Sequence, residues 1–179
     1  MRTSNQGIDL IKSFEGCRLK SYQDSVGVWT IGYGHTSGVK PGMEISQIEA
    51  EQYLRQDLII FEGYVNGLGR TLQQWEFDAL VSFSYNCGKG NLKKLTDGRS
   101  IAEIGANICK YNKAGGKVLP GLTRRRQAEK AMLLGKNNYK KDIQAFLRDH
   151  GAPDLAVDGI IGPKTKAAIK NFLKVIEYE

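Results

Sequence analysis

The sequence predicts an α+β fold that is mostly helical, with a small β-hairpin lobe near the amino terminus. Three capping signals, in which a serine or threonine is followed three residues later by glutamate or glutamine, mark helix starts at Ser46, Thr71 and Ser100. Residues 28–35 alternate large and small side chains, as a strand does. Helix signals therefore dominate, and the strand signal is confined to the front of the chain.

The first helix is predicted to end at Glu15. Ile8, Ile11 and Phe14 recur at helical spacing, and Gly16 is a helix-stop residue because glycine adopts the left-handed cap conformation without a clash. Glu15 is therefore expected in the last turn, where the negative end of the helix opposes ionisation. That position suits an acid that must hold its proton.

The strand over residues 28–35 is predicted to form a cleft wall. One face carries the larger side chains of Trp29, Ile31, Tyr33 and His35, and the other carries Val28, Thr30, Gly32 and Gly34. We expect the face with Thr30 to be open, because its glycines leave room for a ligand. The preceding turn formers place Asp24 at or just before the hairpin tip. His35 lies on the large face, which favours a structural, hydrogen-bonded histidine.

Four further helices are predicted over about residues 46–66, 71–88, 100–110 and 122–135. The second of them is apolar nearly all round, which marks a buried central helix.

Length, charge and cysteine content limit the class of protein. The 179 residues suit one domain, or one domain with a small appendix, and contain no apolar run near the length of a membrane span. The polar start predicts no signal peptide, so the product is expected to stay in the cytoplasm until another factor releases it. The three cysteines are too few and scattered for a disulfide framework or a zinc site, which favours free thiols.

The chain is basic, with a net charge of +7. The segment between Lys89 and Lys130 contains eleven Lys/Arg residues and only three Asp/Glu residues. Such a surface attracts nucleic acid, lipid head groups or an acidic wall polymer, and charge alone does not choose among these or exclude a solvated face. The arginines at 124–126 are interpreted as surface charge, with pairing to Glu15 as the alternative; such a pair would oppose proton donation.

The pair Glu15 and Asp24, with Thr30 nearby, fits glycoside hydrolysis. That reaction uses one protonated acid and one charged carboxylate, about 6.5–9.5 Å apart in inverting enzymes, so that a water fits between the carboxylate and the sugar. A threonine hydroxyl could hold that water. Spacing alone leaves open the alternative that two such acids are simply solvated surface.

Residues 14–35, FEGCRLKSYQDSVGVWTIGYGH, resemble the phage-type lysozymes of glycoside hydrolase family 24. FSYNCGKG and YNKAGGKVLPGLTRRRQAE resemble later parts of the same family, so the likeness spans roughly residues 4–135. It implies an endolysin that cleaves the β-1,4 bond between N-acetylmuramic acid and N-acetylglucosamine with inversion, without metal or cofactor. The implied catalytic residues are Glu15 as general acid, Asp24 as base and Thr30 as water-positioning residue; the implied substrate-binding residues are Tyr85, Asn86 and Asn107.

The tail resembles a small peptidoglycan-binding module through LAVDGIIGPKTKAAIKNFL. We predict a catalytic domain over 1–135, a linker over 136–140 and the module over 141–179, with turns at Asp158–Gly159 and Gly162–Pro163 and a helix start at Pro163. Docking of so short a segment on the catalytic domain is the alternative.

The expected partner is the peptidoglycan glycan strand, bound by a monomer that a holin-like pore releases to the wall. No nucleic-acid partner and no stable membrane insertion are expected. Two other classes stay open, a lytic transglycosylase and a non-catalytic wall-binding protein. A nucleic-acid binder is a more distant alternative.

Overall fold

A computed structural model of the chain describes residues 1–24, 26–135, 144, 147–157 and 162–176, with side chains described as far as residue 171. The chain divides into two compact units, Met1–Leu134 and Gly135–Glu179, and each is described by itself.

The described residues of the first unit form five α-helices and two small antiparallel sheets, which confirms the predicted α+β class. The order along the chain is α1 (Asn5–Glu15), β1 (Arg18–Gln23), β2 (Trp29–Gly32), α2 (Gln47–Asn66), α3 (Gln74–Thr96), α4 (Ile101–Asn107), β3 (Lys113–Ala114), β4 (Lys117–Val118) and α5 (Pro120–Leu133). A 3-10 turn, Ile108–Lys110, follows α4. β1 pairs with β2, and β3 pairs with β4.

Helix α3 is the centre of this unit, as its apolar sequence predicts. Phe77, Leu80 and Phe83 are completely buried, and α1, α2 and α5 pack around the helix. Two predicted details are wrong. The helix starts at Gln74, since the Gln73 amide donates to the Glu76 carboxylate at 2.8 Å, so Thr71 is not its cap.

The predicted end of α3 is instead a kink. Gly88 has a φ of 78° inside the element, and the chain resumes helical geometry to Thr96. A glycine adopts this conformation at little cost, so the glycine signal identified an interruption of the helix rather than its end.

The start of α1 is fixed by two buried carboxylates. Thr3 donates from its backbone and its hydroxyl to Glu62 of α2, both at 2.8 Å, and Ser4 donates from both groups to Asp78 of α3. Gly7 permits the close approach of α1 to α3, because a Cβ there would lie 2.7 Å from a Thr3 methyl and 2.8 Å from the Asp78 Cβ. These contacts fix the start of α1 and so limit where its other end, with Glu15, can lie.

The strand predicted over 28–35 ends early. β2 stops at Gly32, which has a φ of 63°, and Gly34 has a φ of 103°. The chain reverses, and the backbone of His35 exchanges two 2.9 Å hydrogen bonds with Ile31. Glycines that were interpreted as space beside a ligand therefore make a tight turn.

His35 is a structural residue, as predicted. Its Nδ1 lies 2.9 Å from both carboxylate oxygens of Asp57, its Nε2 lies 2.9 Å from the Ser37 carbonyl, and its ring stacks on Tyr53. These contacts fasten the turn to α2.

The remaining helix signals are largely confirmed. The capping boxes at Ser46–Glu49 and Ser100–Glu103 are both formed. α2 ends at Asn66, as its pattern predicts, and α5 begins two residues before Leu122 because Pro120 occupies a first-turn position. The β3–β4 hairpin was predicted as a loop, and its strands of two residues are too short to produce a visible alternation.

In the second unit, α6 (Pro163–Ile176) begins at the predicted proline. Leu147 and Leu155 are buried, and the buried Gln144 amide donates to the Thr165 hydroxyl at 3.1 Å. The predicted linker over 136–140 and the predicted turn at Asp158–Gly159 lie outside the described residues.

Within the described part of the chain, no helix has the length and apolarity needed to span a membrane. The same residues contain no group of three or more His, Cys, Asp or Glu side chains placed to hold a metal ion.

Candidate active site

Glu15 lies in the last turn of α1, where the sequence predicts it, and Gly16 ends the helix with a φ of 68°. Its side chain is 24% exposed, and its Oε1 lies 2.5 Å from Nη1 of Arg125 on α5. The alternative interpretation of the arginines, that one of them pairs with Glu15, is confirmed. The carboxylate is thus held by one buried cation while part of its surface faces solvent.

Arg125 is itself fixed by α3 and α5. Its side chain is only 4% exposed; Nη2 donates to the Ser82 carbonyl at 3.2 Å and Nε donates to Glu129 at 3.1 Å. The interpretation of this arginine as surface charge is wrong. The Ser82 carbonyl and the Glu129 carboxylate lie in the core, so they hold the guanidinium in a fixed position beside Glu15.

Glu129 is completely buried between Arg125 and Arg126. The Arg126 Nε lies 2.9 Å from Oε2 without good hydrogen-bond alignment, whereas its Nη2 donates to Oε1 at 3.1 Å. The Ser82 hydroxyl donates to the same Oε1 at 2.8 Å. Burial raises the pKa of Glu129, and the two guanidinium groups act in the opposite direction. We call Ser82, Arg125, Arg126 and Glu129 the arginine cluster.

The charges of the arginine cluster and Glu15 cancel when both carboxylates are ionised, since two arginines then oppose two acids. Protonation of Glu15 leaves one net positive charge. When it is ionised, Glu129 therefore offsets half of the positive charge of the two arginines.

Asp24 lies at the tip of the β1–β2 hairpin, as predicted. Its backbone amide donates to the Val28 carbonyl at 3.0 Å, and its Oδ1 accepts the amides of Val26 and Val28, both at 2.9 Å. Oδ2 has no hydrogen bond to any residue that the structure describes. One oxygen thus organises the turn, and the other is available for chemistry.

Thr30 is paired with Tyr22 across the same hairpin and is only 4% exposed. Its hydroxyl donates to the Val28 carbonyl at 3.0 Å. The expectation of an open face beside Thr30 is wrong at Gly32, because a Cβ there would lie 3.3 Å from the Cβ of Ala50 on α2. The hairpin packs on α2 beside Gly32 and leaves no space for a ligand next to that residue.

Two of the three predicted substrate-binding residues lie beside the groups that hold Glu15. The half-buried Tyr85 donates its hydroxyl to the Tyr33 carbonyl at 2.9 Å, and its pKa is raised by burial and by the charge of Glu15. The exposed Asn86 accepts a 3.0 Å hydrogen bond from Arg126. Whether either residue contacts substrate stays a prediction.

The third predicted residue, Asn107, lies in a different place. Its amide donates to the Glu103 carbonyl at 2.8 Å, its Oδ1 accepts from Lys110 at 2.7 Å, and it lines a 270 Å³ pocket with Leu95 and Arg99. The lining of that pocket includes neither Tyr85 nor Asn86. A role for Asn107 in substrate binding also stays a prediction.

Sequence reasoning missed Glu129 and Ser82. A signal for Glu129 was present, because it follows Arg126 by three residues and Arg125 by four, the spacings at which helix side chains meet. Ser82 gave no such signal, since it is one polar residue within an apolar helix.

The three cysteines are free thiols, as predicted. Cys87 lies against the arginine cluster, with its sulfur 2.7 Å from Arg126, and burial raises its pKa.

Comparison with known proteins gives the family. A model of the phage lysozyme family matches residues 12–129. The endolysin of Bacillus phage B103 is 42% identical over 146 residues, which cover 75% of this chain and 54% of that protein. The endolysin of Acyrthosiphon pisum secondary endosymbiont phage 1 is 41% identical over 143 residues, which cover 74% of this chain and 97% of that one.

Solved structures agree with the sequence comparison. The muramidase domain of SpmX from Asticaccaulis excentricus superposes with a TM-score of 0.68 at 37% identity, covering 74% of this chain and 97% of that domain. The match spans only about half the length of the Bacillus phage relative. With the family match over more than half of its residues, this chain belongs to the phage lysozyme family.

Proposed function

We propose that this chain is an endolysin that hydrolyses the β-1,4 bond between N-acetylmuramic acid and N-acetylglucosamine in peptidoglycan. The observation that carries the proposal is the placement of Glu15, a partly exposed carboxyl group held by a buried arginine at the end of α1. Family membership and the names endolysin and muramidase among its relatives support the same reaction.

In this proposal Glu15 is the general acid. It gives its proton to the glycosidic oxygen as the bond breaks. Its carboxyl group lies at the end of α1 and contacts Arg125, which in turn contacts Glu129.

Asp24 is the general base. Its Oδ2 would accept a proton from the water that attacks the sugar, while Oδ1 stays bound to the turn amides. Thr30 would act through a lone pair of its oxygen, because its own hydrogen is donated to the Val28 carbonyl. A water held in this way would donate one hydrogen to Thr30 and the other to Asp24.

Clearing of outer-membrane-stripped bacteria tests this assignment. Glu15→Gln keeps the shape of the side chain and removes its transferable proton, so we expect a loss of at least about a hundredfold, the lower end of what proton transfer contributes. Asp24→Ala should also lose most activity. Glu103→Gln, which alters an exposed capping acid on α4, is the matched control and should clear the cells normally. Unchanged clearing by Glu15→Gln would exclude the catalytic role.

Two alternative functions give different products. A lytic transglycosylase would leave an anhydro sugar, whereas hydrolysis leaves a reducing-end muramic acid, and mass spectrometry of digested peptidoglycan separates them. A non-catalytic wall-binding protein would release no fragments, and Glu15→Gln would then change nothing.

We further propose that the enzyme acts as a monomer and reaches the wall through a holin-like pore. Expression of the chain with and without a pore-forming protein, followed by optical density, checks the release step. Sedimentation of the pure protein checks the monomer.

We also propose that the second unit, Gly135–Glu179, binds wall glycan, as its resemblance to a peptidoglycan-binding module suggests. Tethering would raise the effective concentration of the active site at the polymer. Cosedimentation of Glu15→Gln protein with purified sacculi, with and without the second unit, tests this role.

A further inference from the structure

A 710 Å³ groove lies between the end of α2 and the second half of α3, which we call the α2–α3 groove. This volume is within the range of small-ligand sites, about 300–1,000 Å³. The proposed catalytic residues do not line it. Its walls are formed by Gly63, Tyr64, Gly67, Leu68, Arg70, Lys89, Gly90, Leu92, Lys93, Thr96, Asp97 and Gly98.

The groove is wide because glycine residues line both of its helices. A Cβ built on Gly63 of α2 or on Gly90 of α3 would have no atom within 4 Å beyond its chain neighbours and the nearby backbone of its own helix, so each helix leaves open space where a larger residue would fill it. Leu92 and Thr96 are buried beneath the opening. The groove therefore has a packed base and open walls.

Positive charge dominates the lining. Lys89 and Lys93 are exposed and lie one helical turn apart, and Arg70 also lines the groove. Arg70 donates to the carbonyls of Thr96 and Arg99 at 3.0 and 2.6 Å, which holds its guanidinium in place without neutralising it. Asp97 is the one acid among the lining residues, so three cations oppose one anion.

An aromatic side chain lies beside these cations. The Lys89 ammonium lies 5.1 Å from the centre of the Tyr64 ring. A ligand that fits here should combine carboxylates with short apolar groups, because it meets ammonium groups beside an aromatic face and a leucine.

A row of aromatic rings connects the groove with the candidate active site. Tyr64 contacts Phe61 edge to face at 5.8 Å, and Phe61 contacts Tyr85 at 5.0 Å. The charge of Glu15 contributes to the raised pKa of Tyr85, so the two side chains belong to the same region of the molecule. A strand bound beside Glu15 could extend along this surface.

We propose that the α2–α3 groove is a second binding site for peptidoglycan and takes the acidic stem peptide of the strand that the active site holds. The inference rests on the proposed function, because it assumes that peptidoglycan is the substrate. Stem peptides match the groove in chemistry, since they carry free carboxylates that can pair with its lysines and short alkyl side chains that can pack on its apolar residues. Their binding would place successive disaccharides in register with Glu15.

Two independent changes test the groove. The double variant Lys89→Glu/Lys93→Glu reverses its charge, and Gly63→Leu fills it without altering charge. Each is combined with Glu15→Gln, so that binding to purified sacculi is measured by cosedimentation without digestion. We expect each to weaken binding by about tenfold or more, because charge-assisted contacts are lost or blocked.

The controls identify the ligand. Lys113→Glu/Lys117→Glu makes the same charge change on the exposed β3–β4 hairpin and should weaken binding much less. On sacculi whose peptides an amidase has removed, the groove variants should bind as well as their parent. Circular dichroism confirms that each variant is folded.

Several results would overturn the proposal. Equal losses for groove and hairpin variants would show diffuse charge attraction, and undiminished losses on peptide-free glycan would show that the peptide is not the ligand. A loss confined to binding of double-stranded DNA would assign the groove to nucleic acid. Failure of the proposed function is seen separately, as absence of hydrolysis by the protein with Glu15 intact.

Discussion

The two proposed catalytic carboxylates are held in opposite ways. Glu15 is fixed by contacts from far along the chain, through Arg125 on α5 and, behind it, Glu129 and a carbonyl of α3. Asp24 is fixed by its own turn, through amides two and four residues ahead of it. The acid thus depends on assembly of the helical core, and the base depends on a five-residue loop.

This difference suits the two roles. A general acid needs a controlled electrostatic environment, and a buried cluster supplies one because its charges are poorly screened. A general base that works on water needs an accessible oxygen, and a turn at a hairpin tip offers one. We therefore expect mutations around Glu15 to affect stability and activity together, and mutations at Asp24 to separate them.

The largest expected effect is that of Glu129→Gln. The variant keeps the size of the side chain and leaves two buried arginines with one acid fewer, so we expect a loss of about 3–5 kcal/mol in the free energy of unfolding. Denaturant unfolding measures the change. Clearing activity should fall as well, because the acceptor that positions Arg125 loses its negative charge.

Glu103→Gln is the matched control for stability. It removes an exposed negative charge from the cap of α4, and the glutamine oxygen can still accept from Ser100, so we expect a much smaller loss in the free energy of unfolding. Equal losses for the two variants would show that the arginine cluster contributes no more than a surface cap, and the contrast between Glu15 and Asp24 would then fail.

Local parts of the site could be predicted from the sequence, and distant contacts could not. Gly16 after an apolar periodic segment predicts the position of Glu15, and the turn formers around Asp24 predict the hairpin tip, because both depend on neighbours in the chain. That Arg125 rather than Arg124 meets Glu15 depends on how α5 packs against α3. No local pattern contains that information.

The prediction of an open face beside Thr30 failed for a related reason. Alternation placed Gly32 and Gly34 on the same face as Thr30, which suggested an open wall. Glycine has two uses, to leave space or to permit a positive φ, and the sequence does not separate them. Here both glycines have positive φ, and α2 fills the space beside Gly32.

Gly7→Ala tests the packing of the start of α1 against α3. The added methyl would lie 2.7–2.8 Å from Thr3 and Asp78, so we expect a loss of about 1–3 kcal/mol despite the better helix preference of alanine. Gly63→Ala on α2 has open space and should instead gain up to about 1 kcal/mol. Thermal unfolding separates the two. A neutral Gly7→Ala would mean that α1 can shift without cost, and Glu15 with it.

Asp24→Asn and Asp24→Ala test the turn. Asparagine keeps a side-chain oxygen for the amides of Val26 and Val28, so we expect its unfolding free energy to stay within about 0.5 kcal/mol of wild type. Alanine lacks the oxygen that accepts both amides and should cost about 1–2 kcal/mol. Both should lose clearing activity, since neither has a carboxylate. Activity in Asp24→Asn near the wild-type level would remove Asp24 from the mechanism.

The smallest expected effect is a difference in reactivity between two thiols, those of Cys17 and Cys87. Cys17 is exposed two residues after Glu15, whereas Cys87 is half-buried against Arg126. Burial raises the pKa of Cys87, so only a small fraction of its thiol is the reactive thiolate at pH 8. Because Cys87 is also less accessible, iodoacetamide should modify it at least about tenfold more slowly than Cys17. Peptide mass spectrometry over time measures both rates. In Glu129→Gln we expect Cys87 to react faster, because a loosened arginine cluster exposes its sulfur. Equal rates in the wild type would show that the region behind Glu15 opens readily, so that its buried contacts do not hold the acid more firmly than the turn holds Asp24.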